Sequence, residues 1–346
     1  MRVAGFRQYL TVGMTVGLVS LGQAWAAPAD MQMHADAQRI VSQYKAVFNK
    51  SNPRRLGMQV AGGTPSRTAV DGPLLGNGDL GVVIGGPPEA QHFYISKADF
   101  WRFQGGHRKG GGHPFGSLDI KIPALAGGTY LVEQELYPAI TTSRFTKGQT
   151  NVTMRSWVAA TDNVLIVELS AAGTPADVEV KLWADKADDT GRKDAVLWVA
   201  KSIADDRVEI PVTAACGMAF LGAKEPAFKL QPGQTVTVAV AMQSSFDSKK
   251  PLEAAQEKAL GLNEKRVEKL RERHAQWWRD FWTRSLVEIG DPVLEQRYPY
   301  KTSNIVSSAR NCWVAGKFWS VRLETSDERA SLNMTDSSEK SIVSLG

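Results

Sequence analysis

From about Pro73 to about Met242 the chain reads as short apolar runs that alternate with polar positions and are cut by turn residues. In Val178-Glu179-Val180-Lys181-Leu182-Trp183 the apolar and charged side chains fall on opposite faces, as in a strand with one side in a core and the other in water. Further runs span Thr129 to Tyr137, Ile140 to Thr146, Asn151 to Val158, Val164 to Ser170, Ala195 to Ala200, Val208 to Val212 and Thr235 to Met242. They recur at intervals of roughly ten residues, with Lys147-Gly148, Ala172-Gly173-Thr174-Pro175 and Gln231-Pro232-Gly233-Gln234 as turns, which predicts a large antiparallel β-sandwich. The expected fold is therefore mainly β.

Helical spacing brackets this region. Ile40, Val41, Tyr44, Val47 and Phe48 form one stripe and predict a helix from Met31 to Phe48, broken by Asn52-Pro53 and Gly62-Gly63. From Pro251 onward good helix formers return, and Gly261 divides a short helix from a longer one over Glu264 to Arg284. On the longer helix Val267, Leu270, His274, Trp277 and Phe281 recur at spacings of three and four, so His274 is expected in a packed, structural position. The pairs Trp277-Trp278 and Phe281-Trp282 exceed one narrow stripe and call for cover on more than one side. The stretch Arg322 to Gly346, rich in Ser, Asp and Glu with little periodicity, predicts an irregular tail.

One segment carries more than a strand pattern. In Leu74-Leu75-Gly76-Asn77-Gly78-Asp79-Leu80-Gly81-Val82-Val83-Ile84-Gly85-Gly86 the glycines at 76, 78 and 81 allow a tight turn into an apolar run. Gly76 to Gly81 resembles the "PLGNGRLGA" segment of family 95 glycoside hydrolases and their family 65 relatives, and Ile95-Ser96-Lys97-Ala98-Asp99-Phe100-Trp101 is similar to their "LNEDTLW". The resemblance covers about Pro73 to Arg310. It implies a carbohydrate-active enzyme with a β-sandwich (supersandwich), linker helices and an (α/α)6 barrel.

On that footing residues 1–26 are a signal peptide, 27–72 an N-terminal helix and lead-in, 73–245 the sandwich, 246–284 linker helices, and 285–346 an incomplete barrel start with an irregular tail. Ser285 to Pro292 looks like the strand entering the barrel, and Leu294 to Arg310, ending in Ser307-Ser308-Ala309-Arg310, resembles its first helix. Pro299 lies inside that helix, where it costs about 3 kcal/mol. In the resembled family the catalytic groups sit in the barrel, beyond residue 346, so the expectation is a truncated chain, through a frameshift or premature stop, that hydrolyses no glycoside.

Composition narrows the class. A chain of 346 residues, 43% hydrophobic and 22% charged, can bury a sizeable core. Arg2 and Arg7, the apolar Tyr9 to Leu21 and the small-x-small Ala24-Trp25-Ala26 predict a secretory signal peptide with cleavage before Ala27, hence export to the periplasm or outside the cell. No stable membrane span is expected after cleavage. Losing those two arginines reduces the formal charge from +5 to +3, which is no nucleic-acid footprint. Cys216 and Cys312 show no metal-binding spacing, and both are expected as separate thiols.

The candidate chemistry is confined to one loop. Gln104-Gly105-Gly106-His107-Arg108-Lys109-Gly110-Gly111-Gly112-His113-Pro114 follows Trp101, and such a glycine density lets backbone approach a ligand. Trp101 offers a face to a sugar ring, and His107, Arg108 and His113 offer hydrogen bonds to its hydroxyls, so these four are the candidate substrate-binding residues. No catalytic residue is assigned; Asn333 only echoes an asparagine motif of the resembled barrel, with Thr335 where the second asparagine belongs. No GxSxG stands in the chain, which sets aside that hydrolase class. The expected partner is a carbohydrate, with no cofactor and no metal. The other reading is a non-catalytic glycan-binding or scaffold sandwich.

Overall fold

The computed structural model describes residues 28–51, 72–103, 111–286, 319–326 and 329–336, with single positions between 288 and 303. Helix α1 (Pro28–Val41) leads to strands β1 (Lys45–Phe48), β2 (Leu74–Gly76), β3 (Leu80–Gly85), β4 (Ala90–Arg102) and β5 (Gly111–Lys121). After a 3-10 turn come β6 (Thr129–Glu135), β7 (Ile140–Lys147), β8 (Thr150–Val158), β9 (Val164–Gly173) and β10 (Ala176–Trp183). Then follow β11 (Asp189–Lys193), β12 (Val196–Ile203), β13 (Val212–Leu221), β14 (Ala227–Leu230) and β15 (Thr235–Ser244). Helices α2 (Pro251–Leu260) and α3 (Glu264–Ser285) and the hairpin β16 (Trp319–Ser326) and β17 (Arg329–Asp336) complete the order.

The fold is mainly β, built on two large antiparallel sheets. One has nine strands in the order β1-β6-β7-β8-β9-β15-β13-β12-β11, the other six in the order β14-β10-β5-β4-β3-β2. Their inward residues form one apolar layer, with Phe93, Ile95, Phe100 and Phe115 of the smaller sheet sharing a cluster with Met154, Val167, Val199 and Val240 of the larger. The larger sheet also has an apolar outer face, and the helices cover it. Leu252 and Ala255 of α2 pack on Ala200 and Ala215, while Val267 and Leu270 of α3 join Trp157, Ile166 and Ala239. Gly217 lets α2 come this close: a Cβ there would stand 2.5 Å from the Ala255 carbonyl oxygen.

Farther along α3, His274 lies buried with its ring 5.0 Å from Trp157 and 6.4 Å from Trp278. Its Nε2 is 2.8 Å from the Pro138 carbonyl, and burial, outweighing that and neighbouring carbonyl contacts, pushes its pKa down to about 4. The position is structural.

Several expected elements shift. The helix predicted through Phe48 stops at Val41, and Lys45–Phe48 is instead an edge strand paired with β6, where Val47 and Phe48 lie opposite Glu133 and Val132. The run Val208 to Val212 is not a strand; pairing starts at Val212, after Pro211, which has no N–H to give, and continues to Leu221. On α3 the buried aromatics are Trp278 and Trp282, while Trp277 and Phe281 are half-buried and stack on each other. Residues 293–295, 297, 299 and 303 are helical, Pro299 included, and where an irregular tail was expected β16 and β17 pair as a hairpin. The signal segment, Cys312, Trp313, Phe318, Ser307 to Arg310 and the final residues lie outside the described residues. Cys216 is buried and free in β13. No described helix is long and apolar enough to cross a membrane.

Candidate functional site

The glycine-rich segment folds as the tight connection between β2 and β3. Gly78 takes φ +84°, a conformation open to glycine at little cost. Beside it the Asn77 Oδ1 accepts from the backbone N–H groups of Asp79 (3.0 Å) and Leu80 (2.9 Å). The Asn77 amide nitrogen turns the other way, to the carbonyls of Ala159 and Asp162 and to Asn163 Oδ1, each within 3.1 Å. One asparagine thereby ties the smaller sheet to the β8–β9 turn of the larger.

Asp79 extends the tie inward. Its Oδ2 accepts from Asn163 and its Oδ1 from Lys97 Nζ at 2.8 Å. Lys97 has a fully buried side chain and also meets Asp99 Oδ2 (2.6 Å) and Asp247 Oδ2 (3.1 Å). Ser244, the last residue of β15, donates to Asp99 Oδ2 at 2.8 Å. Burial depresses the Lys97 ammonium, but hydrogen bonds to Asp79 and Asp99 more than restore it, so its pKa lies above the usual lysine value. Asp99 goes the other way for a carboxylate: burial pushes it up, and Lys97 and Ser244 only partly offset this. Its Oδ1 is buried with no hydrogen-bond partner. On the helix side, Asp162 holds Lys258 of α2 and Arg266 of α3. A continuous polar chain thus runs from the linker helices through Asp162, Asn163, Asn77 and Asp79 to Lys97 and Ser244. Its role is structural.

The expected sugar-contact residues divide between what is described and what is not. Trp101, near the end of β4, is 43% exposed and lies against Gly112 of β5, where a Cβ would touch its ring at 3.4 Å. His113 is half-buried in β5, so residues 111–114, expected as loop, are strand paired with β4. His107 and Arg108 lie outside the described residues. Burial first, then Lys201 and Arg102, hold the His113 pKa below the ordinary histidine value. Arg102 is fixed by Asp205 at 2.7 Å, and Phe103 just beyond packs on Phe246 with ring centroids 5.9 Å apart. Phe246 lies between Ser244 and Asp247, so the Trp101 strand end and the Lys97 cluster share one end of the sandwich. Sequence reasoning missed Lys97 and Lys201. Each is a cation at a position where the alternation calls for an inward side chain, and that signal was present.

Among the described residues no group of three or more His, Cys, Asp or Glu side chains could hold a metal ion. No protein-family model and no curated protein matches the chain. Solved structures do resemble it. One described as a kojibiose phosphorylase from the human microbiome is 9% identical with a TM-score of 0.42, over 76% of this chain and 41% of that one. A bacterial glucoamylase complexed with acarbose is 8% identical with a TM-score of 0.29, over 68% and 40%. A family GH92 α-mannosidase from Bacteroides thetaiotaomicron is 9% identical with a TM-score of 0.30, over 75% and 42%. The chain spans about two fifths of the length of these proteins.

Proposed function

We propose that the chain is a carbohydrate-active protein, the N-terminal portion of an exported glycoside hydrolase of the family 95 or family 65 type. In this reading Trp101 and His113 contact sugar, with His107 and Arg108 on the connection between β4 and β5. The observation that carries it is the joint behaviour of the two family-like segments. Asn77 and Asp79 of the first and Lys97 and Asp99 of the second interlock in one buried cluster, and Trp101 emerges exposed from that end of the sandwich. Two stretches that resemble one family are therefore joined in the fold through this cluster, which is the support for the reading.

Asp99 and Asp205, the carboxylates tied to the β4 end, are committed elsewhere: Asp99 to Lys97 and Ser244, and Asp205 to Arg102. We assign them no acid or nucleophile role, and glycosidic cleavage, which needs two positioned carboxyl groups, is assigned by the resemblance to the barrel. The purified chain is expected to bind oligosaccharides with quenching of tryptophan fluorescence that Trp101→Ala removes, and to release no chromophore from aryl glycosides. Turnover that survives purification and is abolished by changing an acidic residue of this chain would overturn the assignment. Binding without turnover in a natural full-length product would favour the glycan-binding module. Export is tested separately by sequencing the mature N-terminus, expected at Ala27.

A further inference from the structure

Asn77 and Gly78 form the only Asn-Gly pair in the sequence. In such a pair the backbone nitrogen of the glycine reaches the side-chain carbonyl carbon of the asparagine with little hindrance, because no Cβ stands beside it and the backbone turns freely. A bond forms between Gly78 N and Asn77 Cγ, the Cγ–Nδ2 bond breaks, and Nδ2 leaves as ammonia with the proton that Gly78 gives up. Water then opens the resulting cyclic imide at either carbonyl. The product is aspartate or, with the main chain rerouted through Cγ, isoaspartate.

The fold opposes each part of this reaction. Asn77 is only 6% exposed. Its Oδ1 is held by the N–H groups of Asp79 and Leu80, and its Nδ2 by the Ala159 and Asp162 carbonyls and by Asn163, so the amide is gripped at both ends. Cyclisation requires the amide to swing onto the Gly78 nitrogen, which strands those donors and acceptors in a buried turn. Pairing of Leu75 with Val82 and of Gly76 with Gly81 keeps the turn closed. The products, in turn, do not fit the closed turn. Aspartate has no donor for Ala159 and Asp162, and isoaspartate lengthens the main chain next to Gly78, which already sits at φ +84°.

We propose that Asn77-Gly78 is a modification site gated by the fold. It is inert while the β2–β3 turn is closed, loses ammonia when the turn opens, and then cannot rebuild the tie between the two sheets. Opening of this turn is thereby recorded covalently, whatever the chain binds.

The test is to hold the full chain in mildly alkaline buffer, folded in one series and in concentrated urea in the other, and to follow the peptide containing Asn77 by mass spectrometry and isoaspartate by enzymatic methylation. Conversion is expected to be at least about tenfold faster in urea than in the folded chain. In urea Gly78→Ala should slow it, which identifies the glycine nitrogen as the attacking group. Equal rates in the folded and unfolded series, or no conversion in either, would overturn the proposal. Asn77→Asp, made directly, stands in for the aspartyl product and must unfold at lower urea than the natural chain; an unchanged midpoint sinks the claim that the tie is lost. Failure of that variant to fold is the same loss in its extreme form, and the rate comparison on the natural chain still decides whether the fold gates the site.

Discussion

Lys97 is the single cation among three carboxylates, those of Asp79, Asp99 and Asp247, and none of its side chain reaches solvent. Replacing it by Met removes the charge that makes those carboxylates tolerable, so Lys97→Met is expected to cost about 3–5 kcal/mol in urea unfolding at neutral pH. The loss should shrink as pH falls, because protonating the stranded carboxyls relieves their repulsion; a loss independent of pH would show that packing, not charge, is at stake. Asn77 acts through geometry, not charge. Asn77→Ala frees two backbone donors and two carbonyls in a buried turn, an expected loss of about 2–4 kcal/mol, and Asn77→Asp should do no better since a carboxylate cannot donate to Ala159 and Asp162. The residue types of this cluster were plain in the sequence, but their partnership was not. Asp247 and Ser244 stand far along the chain from Lys97, and only the packing of the β4 sheet across the sandwich against the end of β15 brings them together.

At the level of elements, alternation identified most strands because each sheet has an inner face that must be apolar. It failed where another pattern competed. The glycines before His113 masked the start of β5, and the spacing of Tyr44, Val47 and Phe48 mimicked a helix in what is an edge strand. On α3 the buried stripe follows steps of four from Leu270 through His274, Trp278 and Trp282, so the choice between neighbouring aromatics depended on where the Pro138 and Leu136 carbonyls lie. The burial of His274 also sets a pH dependence. His274 titrates near 4 when folded and near 6.5 when unfolded, so the unfolded chain takes up the proton first. Its contribution is fully present above pH 6.5 and is lost as pH falls toward 4, about 3 kcal/mol in the limit. Chemical denaturation between these pH values is expected to show this slope, and His274→Gln, which keeps a donor for Pro138, should flatten it. At the neighbouring helix, Gly217→Ala must push α2 off β13, with an expected cost of about 1–3 kcal/mol and no change in strand content by circular dichroism.

Across the molecule, the nine-stranded sheet is apolar on both faces while its helices are confined to one side, which makes α2 and α3 part of the fold and not an attachment to it. Ile140, Trp157, Val164, Ile166, Ala219 and Ala239 lie on the outer face and are buried only because Ala259, Leu262, Val267 and Leu270 cover them. Uncovered, these side chains would form a contiguous exposed apolar patch, the kind of surface that drives association or aggregation. The polar chain from Asp162 to Lys258 and Arg266 then fixes where the cover sits. The consequence is a difference between two shortened chains. One that ends at residue 286 keeps the cover, and is expected to stay monomeric with cooperative unfolding. One that ends at residue 246 retains every strand of both large sheets yet exposes the outer face, and is expected to bind a hydrophobic dye strongly and to aggregate during size-exclusion chromatography. Asp162→Ala in the intact chain should fall between them, since the apolar contacts remain and only their alignment is lost. A soluble, monomeric and dye-silent chain ending at residue 246 would show that the two sheets alone are sufficient, and that the helices serve only the residues beyond Ser285.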